Sequence, residues 1–204
     1  KYFDGGSRGT PTLDDGALYS LSHEGALFAF DAKTGRVKWA RHLLKDFAGR
    51  RPTWGFSGCP LVAGNLLIVE TGSTKGSLVA LDKKTGKLTW RSGESEAGYA
   101  SPMLRSGKSS QGLSFDRAGL SVFNVSDGER IARFSHKTRY GINAAQPVDM
   151  GDYVLISSGY GKGAALVDLT GASPRSKWES EEIACQMSGG VRKGDFYFGV
   201  HGQT

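Results

Sequence analysis

The chain has 204 residues, a formal net charge of +6, 38% hydrophobic and 23% charged residues, a balance that excludes a disordered chain and leaves room for one sizeable core or two small ones. No apolar run approaches the ~20 residues that a membrane-spanning helix needs. Glycine is the outlier, 30 residues against 6 prolines, which calls for many tight turns and hence many short strands.

Residues 1–9 read as a connector leading into a strand. Strands are then predicted over 10–13, 17–22, 26–31 and 36–41, each bounded by turn residues and alternating at a period of two. The segment Phe28-Ala-Phe-Asp-Ala-Lys-Thr-Gly-Arg-Val-Lys-Trp39 returns as Val79-Ala-Leu-Asp-Lys-Lys-Thr-Gly-Lys-Leu-Thr-Trp90. Weaker copies follow at Val122-Phe-Asn-Val-Ser-Asp-Gly128 and Leu166-Val-Asp-Leu-Thr-Gly171. The turn glycines Gly35, Gly86, Gly128 and Gly171 are spaced by 51, 42 and 43 residues. A second landmark, Pro11, Pro60, Pro102 and Pro147, is spaced by 49, 42 and 45. A fifth copy begins at Gly190-Val-Arg-Lys-Gly-Asp-Phe-Tyr-Phe-Gly199. Four short strands repeated every ~45 residues are the mark of propeller blades; a sandwich has no reason to repeat its sequence, and helical repeats need a period of 3.6.

The repeated residues have structural work to do. Asp31 and Asp82 end a third strand, where a carboxylate accepts hydrogen bonds from turn N–H groups two residues on, and Thr-Gly closes the turn. Trp39 and Trp90 lie on the outer strand, where a flat ring can bury ~150–250 Å² against the next blade. The third unit has Arg133 and Phe134 near that place and the fourth has Trp178 after a longer turn, so these two are expected to dock less tightly.

The links from each outer strand to the next inner strand gather at one end of a propeller, and binding residues concentrate on such loops. Arg8, Trp54, Tyr99, Asn143 and Gln186 precede the inner strands, are large or polar, differ between units, and are the candidate binding mouth. The longest connector, 43–58, carries Lys45, Arg50, Arg51 and Trp54. It reads either as a basic loop for an anionic sugar or a partner carboxylate, or as a solubilising excursion. Lys83, Lys84 and Lys87, like Lys33 and Arg36, read as solvated turns, with no stripe for nucleic acid. Gly159-Tyr-Gly-Lys-Gly163 joins two antiparallel strands and opens no helix, so it lacks the parts of a phosphate loop. His201 reads as a surface or structural histidine, and no catalytic residue or metal set stands out. Cys59 and Cys185 are 126 positions apart and form no C-x-x-C pair; Cys59 holds the strand-entry position of Thr10, Ser101 and Gln146.

The Ala-x-Asp-x-x-Thr-Gly-x-x-x-Trp pattern at 29–39 and 80–90 resembles the repeat of the pyrroloquinoline quinone (PQQ) type, the quinoprotein alcohol dehydrogenase-like β-propeller family. That family takes in quinoprotein dehydrogenases and the propeller lipoprotein of outer-membrane β-barrel assembly. The expected fold is all-β, a β-propeller of four-stranded antiparallel blades at about 10–42, 59–92, 101–135 and 146–180 with a partial blade at 189–204. By this reading it is a segment of a six- to eight-bladed ring. The resemblance implies an extracytoplasmic location. It implies either a non-catalytic binding or scaffold module for a protein or carbohydrate partner, or a PQQ-dependent alcohol or sugar dehydrogenase whose cofactor residues lie outside these residues. PQQ and calcium follow from the resemblance alone, because the adjacent cysteine pair of the dehydrogenases has no counterpart here.

Overall fold

The structure, a computed structural model, describes residues 7–202, and the expected connector over 1–9 falls mostly outside them. The first sheet is β1 (Thr12–Asp14), β2 (Ala17–Leu21), β3 (Ala26–Asp31) and β4 (Val37–His42), followed by helix α1 (Leu43–Phe47). The second is β5 (Leu61–Ala63), β6 (Leu66–Ser73), β7 (Gly76–Asp82) and β8 (Leu88–Ser92). The third is β9 (Met103–Arg105), β10 (Lys108–Asp116), β11 (Gly119–Asn124) and β12 (Arg130–Ser135). The fourth is β13 (Val148–Asp149), β14 (Tyr153–Ser158), β15 (Gly163–Asp168) and β16 (Arg175–Ser180), and a hairpin of β17 (Val191–Lys193) and β18 (Phe196–Phe198) follows. Each four-stranded sheet is an antiparallel meander with its strands in sequence order, the build of a propeller blade.

The chain divides into two compact units. One holds the first two sheets and the Ser126–Glu129 turn; the other holds the remaining sheets. In the first, Tyr19, Leu27, Leu67, Val69, Val79 and Leu81 form the core, and Leu43, Phe47 and Phe56 of the long connector add to it. In the second, Leu113, Phe115, Leu120, Val122, Val154, Ile156 and Val167 do the same. Outer strands alternate or face solvent, whereas β7 is buried over six successive residues, as a strand covered on both faces must be.

The two ends of each blade are built differently. At one end the β1–β2 and β3–β4 turns are joined by Ala32 N–H to Gly16 O at 2.9 Å, and Lys83 N–H to Asn65 O repeats this in the second blade at 2.9 Å. Here Asp31 accepts from the Thr34 N–H and hydroxyl at 2.9 and 2.8 Å, and Asp82 accepts from Thr85 at 2.8 and 2.7 Å. The partner is thus chiefly the threonine three residues on, and its hydroxyl, then its amide, hold both carboxyl groups below their ordinary pKa. Gly35, Gly86 and Gly128 have φ of 71°, 67° and 77°, the conformation this turn requires. Gly171 does not, and β16 starts only at Arg175.

The conserved register of the outer strand places the tryptophans. Trp39 pairs with Ala29, Trp90 with Ala80 and Trp178 with Leu166. The same position in the third blade, opposite Val122, is Ala132, with Arg133 and Phe134 one and two residues beyond it. Trp39 is 8% exposed; its indole covers Gly86, where a Cβ would stand 2.7 Å from the ring, and its N–H donates to Lys83 O at 3.0 Å. Around it Tyr19 donates to the same carbonyl at 3.1 Å, Arg41 reaches Gly86 O at 2.7 Å, and Lys83 pairs with Asp14 at 2.6 Å. Trp90 covers Gly128 in the same way, with a Cβ there 2.5 Å from the ring. Trp178 is 38% exposed.

Helix α1 was not expected within the connector. Leu43 and Phe47, four residues apart, turn one face into the core, and Asp46 accepts the His42 N–H at 2.8 Å. Ala48 ends it at φ 52°. Among the described residues no helix is long and apolar enough to cross a membrane.

Candidate functional site

The other end of each blade carries the hairpin between its second and third strands and the connector to the next blade. In the first unit these meet through Phe56 N–H to His23 O at 2.9 Å, and Leu43 N–H to Gly25 O at 2.8 Å. Arg8 donates to the backbone carbonyl of Trp54, so two of the five candidate residues are brought together. The Trp54 ring stands exposed above them. The basic loop is largely spent within the unit: Arg50 pairs with Glu96 at 2.9 Å and Arg51 with Glu24 at 2.7 Å. Its charge is balanced locally.

In the second unit Asn143 is fully buried. Its amide donates to Asp116 O at 2.8 Å and His136 O at 2.9 Å, its side-chain oxygen accepts from the Ser158 hydroxyl at 2.7 Å, and its backbone carbonyl accepts the Tyr99 N–H at 2.8 Å. These bonds tie the connectors to the β10–β11 and β14–β15 hairpins. Asn143 is therefore a brace beneath this end of the unit, and the half-buried Tyr99 is held beside it. Gln186 is also buried, but its amide reaches outward to the Tyr160 hydroxyl at 3.0 Å.

Tyr160 is a residue that the sequence reading passed over. It sits in the glycine-rich hairpin 159–163, as expected a link between antiparallel β14 and β15, at φ 59°. A bulky side chain rarely adopts that conformation. Its ring meets Tyr140 edge to face at 5.1 Å, and Arg139 lies 5.4 Å over the Tyr140 ring. Both tyrosines are exposed, 56% for Tyr140 and 42% for Tyr160. A tyrosine flanked by two glycines in a hairpin was the available signal.

Beneath this group His136 is buried against Phe115 at 5.6 Å, with no hydrogen-bond partner for either ring nitrogen, and burial, aided by the Lys162 charge, lowers its pKa from 6.5 to about 4. Asp116 is committed to Arg133 at 2.7 Å. His201 lies on the last connector, its Nδ1 2.9 Å from Glu182 O. Cys59 and Cys185 are free thiols; Cys185 is buried with its sulfur 3.0 Å from the Tyr197 hydroxyl, whose pKa is raised by burial and by that contact.

The donor set does not fit PQQ with calcium. The thiols are separate, the Trp39 and Trp90 rings cover glycines of neighbouring turns, and among the described residues no three His, Cys, Asp or Glu side chains gather as a cation would need.

Fold and repeat define the class, a β-propeller built of PQQ-like repeats. The family model described as "Outer membrane protein assembly factor BamB" matches residues 3–204, and the chain belongs to that family. Curated relatives include the quinoprotein alcohol dehydrogenase PedH of Pseudomonas putida, 29% identical over 141 residues, which are 62% of this chain and 22% of that protein. The quinoprotein ethanol dehydrogenase of Pseudomonas aeruginosa is 33% identical over 131 residues, 59% of this chain and 20% of that one. Among solved structures, BamB from Moraxella catarrhalis superposes with a TM-score of 0.64 at 19% identity, covering 89% of this chain and 51% of that one, a likeness that shows the fold. The chain thus spans about a fifth of these two dehydrogenases and about half of the solved propeller.

Proposed function

We propose that this chain is a non-catalytic, extracytoplasmic binding module whose partner is a protein. The observation that carries the reading is the family match over residues 3–204, whereas the two dehydrogenases align over 141 and 131 residues. Two features support it. The connector end of the second unit presents exposed Tyr140 and Tyr160 with Arg139 over the Tyr140 ring, side chains of the kind that dominate protein interfaces. The tryptophans serve the scaffold: Trp39 and Trp90 dock successive blades, a reading supported by their burial on Gly86 and Gly128. Within this reading Arg8 and Trp54 belong to the connector end of the first unit, and Tyr99 and Gln186 to that of the second, where Asn143 braces the loops.

The second reading is a PQQ-dependent alcohol dehydrogenase with its cofactor residues outside these 204, favoured by the 29% and 33% identities. One experiment separates the two. The gene's full-length product, purified and incubated with PQQ and calcium, is expected to show neither a bound-quinone spectrum nor dye-linked alcohol oxidation. Turnover above the protein-free control would replace the first reading with the second.

A further inference from the structure

We infer that the connector end of the second unit docks an acidic, extended peptide segment of a partner protein, with Tyr140 and Tyr160 as anchors and Arg139 as the carboxylate-binding group. This rests on the binding-module reading and adds the chemistry of the partner.

The first ground is strain kept at an exposed place. Tyr160 holds φ 59° while 42% of it faces solvent, with glycines on either side that would adopt this turn freely. A backbone strained by a bulky residue whose ring still faces solvent, held only by Tyr140 and Gln186, points to a use for that ring. The second ground is rigidity. The Thr138 hydroxyl accepts the Ile142 N–H at 2.7 Å and the Gly141 N–H reaches Thr138 O at 3.1 Å, which closes the loop that presents Arg139 and Tyr140. Arg117 packs over Gly141, where a Cβ would meet its side chain at 2.4 Å. Gln186 fixes the Tyr160 hydroxyl at 3.0 Å. Two tyrosines locked edge to face cost little further ordering when a ligand arrives.

The third ground is charge. Arg117, Lys137, Arg139 and Lys162 lie on the hairpins and connectors of this end. The acids there are Glu181 and Glu182 on the last connector, and Asp116, which is committed to Arg133. The balance is cationic, yet the cations are too few and too interleaved with tyrosine for a nucleic-acid stripe. Carboxylates spaced along an extended peptide, with an apolar or aromatic side chain between them, match arginine beside paired aromatic rings.

Fluorescence anisotropy of the full chain tests this with a short labelled peptide of Glu, Phe and Gly, its counterpart with Lys in place of Glu, and labelled single-stranded DNA. The acidic peptide is expected to bind, more weakly as salt is raised, and the basic one not to bind. Arg139→Glu and Tyr160→Gly should each weaken binding by about tenfold or more. Tyr160→Gly relieves the positive φ, so its thermal midpoint should stay within a few degrees of wild type, which separates a lost anchor from a lost fold. The inference is overturned if the acidic peptide does not bind, if DNA binds as tightly, or if both variants bind like wild type. Those results leave the non-catalytic reading standing, since that reading falls only on quinone-dependent turnover.

Discussion

His136 gives the sharpest physical prediction. Its ring is 2% exposed, packs on Phe115, and has no hydrogen-bond partner, so the neutral form is the one the fold accepts. After burial, the charge that bears on it is the Lys162 ammonium, which disfavours a second cation. With an ordinary value of 6.5 when unfolded and about 4 when folded, the unfolded chain binds the extra proton first as pH falls. Stability is then fully present above pH 6.5, declines as pH falls from 6.5 toward 4, and is flat below that for this group. Between pH 7.5 and 4.5 the loss comes to about 2.5 kcal/mol. The turn carboxylates Asp31, Asp82 and Asp168 are held below their usual range, so their losses fall at lower pH and do not overlap this window. His136→Phe fills nearly the same space and removes no hydrogen bond of the ring, so its stability at pH 7.5 should stay within ~1 kcal/mol of wild type. Urea unfolding at both pH values, followed by amide exchange of the second unit, measures the effect. Equal wild-type stability at pH 7.5 and 4.5, or a His136→Phe variant that weakens as much as wild type, would refute this reasoning.

Two further changes probe the scaffold. Trp39→Ala empties the indole site over Gly86 and leaves Lys83 O with the Tyr19 hydroxyl alone, so it should cost about 3–5 kcal/mol by denaturant titration, whereas Trp178→Ala, on a ring already 38% exposed, should cost well under half as much. Asp149→Ala removes a buried carboxylate that lies 3.6 Å from Arg105, accepts the Ser106 N–H at 2.7 Å and caps Gly151 N–H at 2.9 Å; the uncompensated guanidinium left behind should cost about 3–5 kcal/mol in thermal or urea unfolding of the second unit.

Much of the fold was legible because the residues that set it act locally. The expected strand over 26–31 is β3 residue for residue, since alternation fixes its length and Asp31 with Thr34 and Gly35 fixes its end. The third blade was harder to read. There the indole position holds Ala132, and only the pairing opposite Val122 reveals the equivalence. The short helix after β4 was missed because one turn of buried Leu43 and Phe47 leaves too little periodicity to see. The candidate site was legible in position and not in direction. Sequence places Arg8, Trp54, Tyr99, Asn143 and Gln186 at the connector ends, but which side chain turns inward depends on partners distant in the chain. Asn143 meets Asp116 and Ser158, 27 and 15 residues away, and is buried by them. For the arginines of the long connector the sequence leaves a binding loop and a solubilising excursion both open, because their partners Glu96 and Glu24 are distant in the chain.

The two ends of the blade therefore carry different constraints, and this explains why the repeat is strong at one end and faint at the other. At the Asp-Thr-Gly end contacts run between sheets as well as within a turn: Gly86 must be bare because the Trp39 indole covers it, and Lys83 O, three residues before it, receives the indole N–H. A change at any of these positions disturbs two sheets at once. At the connector end, support comes from buried polar groups such as Asn143, which satisfy backbone atoms of several loops from beneath. With that brace in place, the residues above it are released from structural duty, and a strained tyrosine can be kept in the hairpin above Gln186. Burying a polar group costs stability unless all its bonds are made, so a brace of this kind fixes the loops in one arrangement. The edge-to-face arrangement of Tyr140 and Tyr160 depends on that fixity, which ties the proposed peptide site to Asn143.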